Sequence, residues 1–274
     1  MQHAAPELAG VVDSVWDRRE ELCASHRSRE ALEVLRSVVS LLGEGRLRVC
    51  SRESGGWVVH GWLKRAILLY FMSEAARQIR CGDLTYHDMV PPKLALSRSG
   101  NRAFRSVPPC MVRSGAFVAD SAVLMPSFVN IGAYVDEGTM VDTWSTIGSC
   151  AQIGRNVHIS GGVGIGGVLE PIGSRPVIVE DGCFIGARSE VAEGVLVGEG
   201  SVLSMGLHIG SSTKVYDREM DSVSYGCIPP RAVVVPGSII RNARYALSCA
   251  VVVKRVDGRT ASKVALNEAL RSLG

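Results

Sequence analysis

Aromatic side chains are scarce in this 274-residue chain, where Phe, Trp and Tyr together make up only 5%. That scarcity disfavours a core built on aromatic bulk and suits one made of thin aliphatic layers. The eight cysteines, at 23, 50, 81, 110, 150, 183, 227 and 249, form no C-x-x-C pair and no dense cluster. Their scatter speaks against a disulfide framework and points to reduced thiols in the cytoplasm. No long apolar run is present. The most apolar window, Trp62 to Met72, is broken by Lys64 and Arg65 and is too short to cross a bilayer. The N-terminus carries Glu7, Asp13, Asp17, Arg18, Arg19 and Glu20 where a signal peptide needs an apolar core. Basic runs are also missing, and the formal net charge is +3, which favours anionic small molecules over nucleic acid. A soluble cytoplasmic protein with no membrane or nucleic-acid partner is expected.

What the chain does have is 30 glycines and a six-residue beat. An apolar side chain recurs at Met111, Phe117, Val123, Val129, Val135, Val141, Ile147, Ile153, Ile159 and Ile165. The beat resumes two residues out of phase at Val179, Ile185, Val191, Val197, Leu203 and Ile209. Four residues after each of these the side chain is usually small, as in Ala133, Thr139, Ser145, Ala151, Ser189 and Ser201. A strand and a bend repeated every six residues build a three-sided coil with the aliphatic position inward and the small residue at a corner. Three hexads make one coil. Pro171 to Ile178 exceeds one hexad by two residues and should leave the coil as a loop, a common place for function.

Outside the beat the pattern changes. Leu32, Leu35, Val38, Val39 and Leu42 fall on one helical face, residues 46 to 61 suggest a short hairpin around Glu53-Ser54-Gly55-Gly56, and a second helix is expected from about Trp62 to about Arg77. Residues 1–107 therefore read as a small, mainly helical domain, set off by Pro108-Pro109 from a solenoid over 108–240. The beat returns weakly at Ile228, Val234 and Ile240. Residues 241–274 read as a small cap, with a strand-like stretch from Tyr245 to Val256 and a helical face of Leu266, Ala269, Leu270 and Leu273.

Hexads define a fold and say little about activity. A zinc hydrase on this scaffold needs about three histidines, whereas the solenoid holds only His158 and His208, so no metal site is expected. His158, at a rung corner near a Gly-rich stretch, is the general base that an acetyltransferase reading would choose. Asp136 and Glu137 suit a turn. Asp142 differs, because Trp144 follows on the same rung and limits its access to water. Phe184-Ile185-Gly186-Ala187-Arg188-Ser189-Glu190 sets Arg188 and Glu190 at outward positions beside bare backbone, where a thin ligand could approach or a surface ion pair could form. The stretch Gly161-Gly162-Val163-Gly164-Ile165-Gly166-Gly167 is not a dinucleotide fingerprint, since no strand-to-helix turn frames it.

Several ordered segments resemble the tetrahydrodipicolinate N-succinyltransferase family. They are Phe104-Arg105, Val107-Pro108-Pro109, Met125 through Trp144, Gly148 through Gly154, Val157 to Pro171, Cys183 to Glu190, Ser204-Met205-Gly206, and shorter matches at Trp62-Leu63-Lys64, Val253-Lys254 and Val256-Asp257. Cys110, Met111 and the basic Gly173-Ser174-Arg175 depart from the family's pattern. The resemblance implies a mainly β fold: a left-handed parallel β-helix with an N-terminal helical domain and a small C-terminal β/α cap. It also implies a homotrimer with sites between subunits. The implied reaction joins succinyl-CoA, tetrahydrodipicolinate and water to give N-succinyl-2-amino-6-oxopimelate and CoA, with no permanently bound cofactor. On this footing Asp142 and Glu190 are the catalytic carboxylates, and Arg105 and Arg188 clamp the dicarboxylate. Gly186, Ala187, Met205 and Gly206 line the pantetheine arm, and Lys214, Lys254 and Arg255 await its phosphates. Two rivals stand beside this reading: an acetyltransferase using His158, and a hexad scaffold with no catalysis.

Overall fold

The computed structural model describes residues 4–22, 29–93, 104–241 and 244–258. The chain opens with helices α1 (Ala4–Asp17), α2 (Arg19–Leu22) and α3 (Arg29–Gly43), then the hairpin of β1 (Cys50–Glu53) and β2 (Gly56–Val59), then α4 (Gly61–Ser73). Of the expected stripe in α3, Leu35, Val38, Val39 and Leu42 are buried and Leu32 is half-buried, at the spacing that brings one helical face to a core. α4 stops short of Arg77 because Glu74 turns extended, with φ −93° and ψ 142°. The chain then forms a second antiparallel hairpin, β3 (Arg77–Cys81) with β4 (Leu84–Asp88). This hairpin and α1, which buries Val12 and Val15, add to what the spacing alone indicated.

From Met111 onward, two-residue strands stack in parallel on three faces of a prism. The first face runs Phe117–Val118, Tyr134–Val135, Gln152–Ile153, Ile178–Val179, Leu196–Val197 and Cys227–Ile228. The second contains Arg105–Ser106, Val123–Leu124, Met140–Val141, His158–Ile159, Phe184–Ile185 and Val202–Leu203. The third contains Met111–Val112, Phe128–Val129, Thr146–Ile147, Gly164–Ile165, Glu190–Val191 and His208–Ile209. From Val129 to Ile209 the expected beat residues are the buried ones, and each contributes about 1.5–3 kcal/mol before chain entropy is charged against it.

In the first coil the phase differs. Val112, Val118 and Leu124 point inward, while Met111, Phe117 and Val123 face out and are only half-buried. The step from Leu124 to Val129 is five residues rather than six and contains Pro126, so the register slips by one there. Ile228 and Val234 are inward as expected, but Ile240 is 74% exposed. It sits near the tip of a hairpin, Ala232–Arg241 with Tyr245–Arg255, that leaves the prism. The helical face proposed for Ala261 to Leu273 lies outside the described residues.

Small corner residues bolt successive coils together. Thr139 Oγ1 donates to Gly154 O at 2.7 Å and accepts from Val157 N, and Ser145 Oγ donates to Ser160 O at 2.7 Å and accepts from Val163 N. Ser189 and Ser201 repeat the pattern toward Ser204 O and Pro229 O. Each hydroxyl satisfies backbone groups that a buried bend would otherwise strand.

The N-terminal helices cover the first face. Arg48 donates to Gln152 Oε1 at 2.6 Å and lies over the Tyr134 ring at 3.9 Å, and Trp57 Nε1 donates to Glu180 Oε1 at 2.8 Å. After Ile165 the chain leaves the third face and rejoins the prism only at Ile178 on the first face, making that coil eight residues longer than its neighbours. The resulting loop is pinned from two sides. Lys64, fully buried in α4, donates to Ser174 O at 2.6 Å, and Arg175 donates to Gly194 O and Gly226 O. Among the described residues no helix is long and apolar enough to cross a membrane.

Candidate active site

Four successive bends carry the chain from the second face to the third: Asp142-Thr143-Trp144-Ser145, Ser160-Gly161-Gly162-Val163, Gly186-Ala187-Arg188-Ser189 and Ser204-Met205-Gly206-Leu207. Backbone bonds hold them in one column, with Gly162 N on Thr143 O at 2.8 Å, Arg188 N on Gly161 O at 3.1 Å and Gly206 N on Ala187 O at 3.0 Å. The column therefore gathers Asp142, Gly186, Ala187, Arg188, Met205 and Gly206, and Glu190 begins the third-face strand just beyond it.

Asp142 is half-buried, and its Oδ1 accepts from Thr143 N at 2.6 Å and Thr143 Oγ1 at 3.1 Å. Among the described residues nothing donates to its Oδ2. Trp144 does not shut Asp142 from water as expected: it stands out from the bend, 66% exposed. Arg188 and Glu190 belong to a coil two steps above Asp142, about 10 Å along the prism at the usual strand spacing. Their side chains reach back. A Cβ on Gly162 would come within 2.8 Å of Arg188 Cδ and Nε, and one on Gly164 would overlap the Glu190 carboxylate. Two glycines of the 161–167 stretch thus make room for the cation and the carboxylate above them, a role that six-fold spacing could not reveal.

Arg105 is exposed on the strand pairing with Val123, in the same second-face column as Met140. Met205 is 70% exposed, and Gly206 has open space where a Cβ would be. The three basic residues expected to meet phosphates lie apart from the column. Lys214 begins a strand between Tyr225 and Cys249, Lys254 pairs with Asp257 at 2.6 Å, and Arg255 pairs with Asp217 at 2.6 Å. Lys254 does share the far end of the second face, beside Val233 and so two strands beyond Val202.

His158 is in a strand of the second face and not at a corner. It is 9% exposed and stacks on Phe184 with ring centroids 4.9 Å apart. His208 is exposed and pairs in register with Glu190. Asp136 and Glu137 lie at the edge between the first and second faces, near Arg155. Burial pushes the thiols of Cys50 up to about 11 and of Cys150 and Cys183 up to about 12, which leaves them neutral and poorly nucleophilic. Among the described residues no three His, Cys, Asp or Glu side chains converge as metal ligands.

Two family models match the chain, one described as tetrahydrodipicolinate N-succinyltransferase N-terminal over residues 7–72 and one as hexapeptide repeat of succinyl-transferase over residues 176–211. A 2,3,4,5-tetrahydropyridine-2,6-dicarboxylate N-succinyltransferase of Nitrosomonas europaea is 53% identical over 97% of this chain and 99% of its own length. The Salmonella heidelberg protein of the same name has the same identity and coverage. A crystal structure from Campylobacter jejuni, described as a candidate 2,3,4,5-tetrahydropyridine-2-carboxylate N-succinyltransferase, superposes with a TM-score of 0.53 at 16% identity. It covers 87% of this chain and 65% of that one, and speaks for the fold alone. Repeat and superposition together make the prism a left-handed parallel β-helix of the acyltransferase type.

Proposed function

Because the chain belongs to the tetrahydrodipicolinate N-succinyltransferase family, enzymes of succinyl transfer in lysine and diaminopimelate biosynthesis, we propose that it joins succinyl-CoA, tetrahydrodipicolinate and water into N-succinyl-2-amino-6-oxopimelate and CoA. Water adds to the C=N bond of the cyclic acceptor, leaving a ring N–H. Asp142 orients that nitrogen and takes its proton as the lone pair attacks the thioester carbonyl. The C–S bond breaks, the CoA sulfur leaves and collects a proton, and the acylated ring opens to the ketone. Glu190 is the second carboxylate of this proton traffic. Arg105 and Arg188 hold the acceptor's two carboxylates. No covalent acyl-enzyme is required, which suits thiols kept neutral by burial.

CoA lies along the upper part of the column, beside the small residues Gly186 and Ala187 and the more open Met205 and Gly206, and its phosphates reach Lys214, Lys254 and Arg255. Asp142 and Glu190 sit two coils apart in one chain, which favours a homotrimer whose sites combine the carboxylates of two subunits. The division into 1–107, 108–240 and 241–274 and a cytoplasmic setting complete the reading. The observation that carries it is the single column of bends joining a half-buried carboxylate, a cation and bare backbone.

A thiol-detection assay for CoA released from succinyl-CoA plus tetrahydrodipicolinate is the direct test. Asp142→Asn is expected to lower kcat about 100- to 10,000-fold, while His158→Ala keeps most of the turnover. The reverse pattern would favour the acetyltransferase reading, against which stands the stacking of His158 on Phe184. No CoA release by the unaltered protein would leave only a scaffold.

A further inference from the structure

In most bends the residue three places after the inward position turns through the left-handed region, and glycine fills that place at Gly132, Gly138, Gly162, Gly182, Gly194, Gly200 and Gly206. Five such places instead hold another residue at positive φ: Trp144 at 59°, Cys150 at 66°, Asn156 at 52°, Arg188 at 60° and Arg231 at 56°. Most of these have a reason in the fold. Cys150 is fully buried among the residues that join prism to helices. Asn156 is of a type that tolerates this conformation, Arg188 fills the space over Gly162, and Arg231 donates to Val256 O at 3.3 Å. Trp144 has none of these. Its indole is 66% exposed, its Nε1 donates to nothing among the described residues, and the next bend in its column takes Gly162 at the same place. The fold asks only for glycine there, and a bulky side chain at positive φ is disfavoured.

Resting on the functional reading above, we propose that Trp144 is a specificity residue whose indole face packs against the methylene face of the acceptor's six-membered ring. Three observations assign it to the acceptor and not to the thioester. Trp144 is two residues from Asp142 on the same bend. The Arg188 side chain lies over Gly162, one coil above, and so brings a cation for the ring's carboxylate beside the indole. The open backbone suited to a pantetheine arm begins only beyond, at Met205–Gly206, where Met205 is exposed and a Cβ on Gly206 would meet nothing within 4 Å. An aromatic wall on the bend of the base and below a carboxylate clamp fits a ring with methylene groups on its face and carboxylates at its rim.

The test is steady-state kinetics with each substrate varied in turn, together with thermal unfolding and sedimentation. Trp144→Leu, which keeps bulk and loses the flat face, is expected to raise the acceptor KM about ten-fold while the succinyl-CoA KM stays within two-fold. Trp144→Phe should recover most of that loss, and Trp144→Gly should unfold no earlier than the unaltered protein. An unchanged acceptor KM in an active enzyme overturns the assignment and leaves the functional reading standing. So does an equal rise in both KM values, or a loss that tracks dissociation of the assembly. If the unaltered protein releases no CoA from this substrate pair, the functional reading fails and this assignment fails with it.

Discussion

The first face of the prism and the edge between its second and third faces are made by the same six-residue repeat, yet they meet opposite surroundings. On the first face the outward residues Tyr134, Gln152, Ile178 and Leu196 lie against the helical domain, with Arg48, Trp57 and Lys64 reaching across to prism groups. At the edge, Trp144, Arg188, Glu190 and Met205 remain open. The inward positions are Val, Ile and Leu in both regions and cannot tell them apart. What separates them is the outward set, which the repeat leaves free, and chemistry collects where that set is neither apolar nor covered.

This contrast is most sharply tested by removing one inward side chain. Ile153 is fully buried beneath the covered face, and Ile153→Ala should cost about 2–5 kcal/mol in denaturant unfolding at fixed protein concentration. Its coil neighbours cannot close the gap without breaking the stacked register. KM values for the folded fraction should hardly move, because the edge column is held by its own backbone bonds. A large KM change with unaltered stability would mean that covered face and edge are not independent.

A smaller effect is expected where the two regions are joined. Lys64 is an ammonium buried in α4, its pKa lowered by that burial, and it serves the loop through Ser174 O at 2.6 Å. Lys64→Ala leaves the carbonyl without this donor and opens a void, for a loss of about 1–3 kcal/mol. Cleavage by a nonspecific protease should shift toward residues 166–177. If cleavage and stability are unchanged, Arg175 alone fastens the loop.

How much of this was legible beforehand depended on whether the sequence offered contrast. From Val129 onward, pairs such as Thr146-Ile147, Gln152-Ile153, Gly164-Ile165 and Glu190-Val191 have one polar or glycine member and show which residue turns in, and the six-residue phase carries that reading to all-apolar pairs such as Tyr134-Val135 and Phe184-Ile185. At Met111-Val112, Phe117-Val118 and Val123-Leu124 both members of each pair are apolar, and only the five-residue step around Pro126 decides which one turns in. Asp142, Arg188 and Glu190 could be picked out as groups a coil does not need. Their placement along one edge of the prism could not, because it follows from coil stacking and from the room left by Gly162 and Gly164. The exposure of Trp144 was hidden for the same reason: proximity in sequence to Asp142 does not say which way a left-handed bend throws the indole.

The smallest effect separates the regions by titration. Cys50 and Cys150 belong to the cluster joining helices to prism and Cys183 to the prism interior, and burial raises their thiol pKa values to about 11, 12 and 12. In the unfolded chain the same thiols ionise near about 8.5. Between that value and the folded ones the native state holds protons that the unfolded state has released, so stability is complete below about pH 8.5 and falls as pH rises toward the folded values. At pH 9 each thiol then costs about 0.8 kcal/mol relative to neutral pH. Comparing urea midpoints at pH 7.5 and pH 9.0, Cys150→Ala and Cys183→Ala should each lose less than the parent by about that amount. Equal pH losses in parent and variants would mean that these thiols are not held protonated by the fold. A smaller saving in Cys150→Ala than in Cys183→Ala would mean that the helical domain releases the first face before the prism opens, and that the covered face is the weaker half of the molecule.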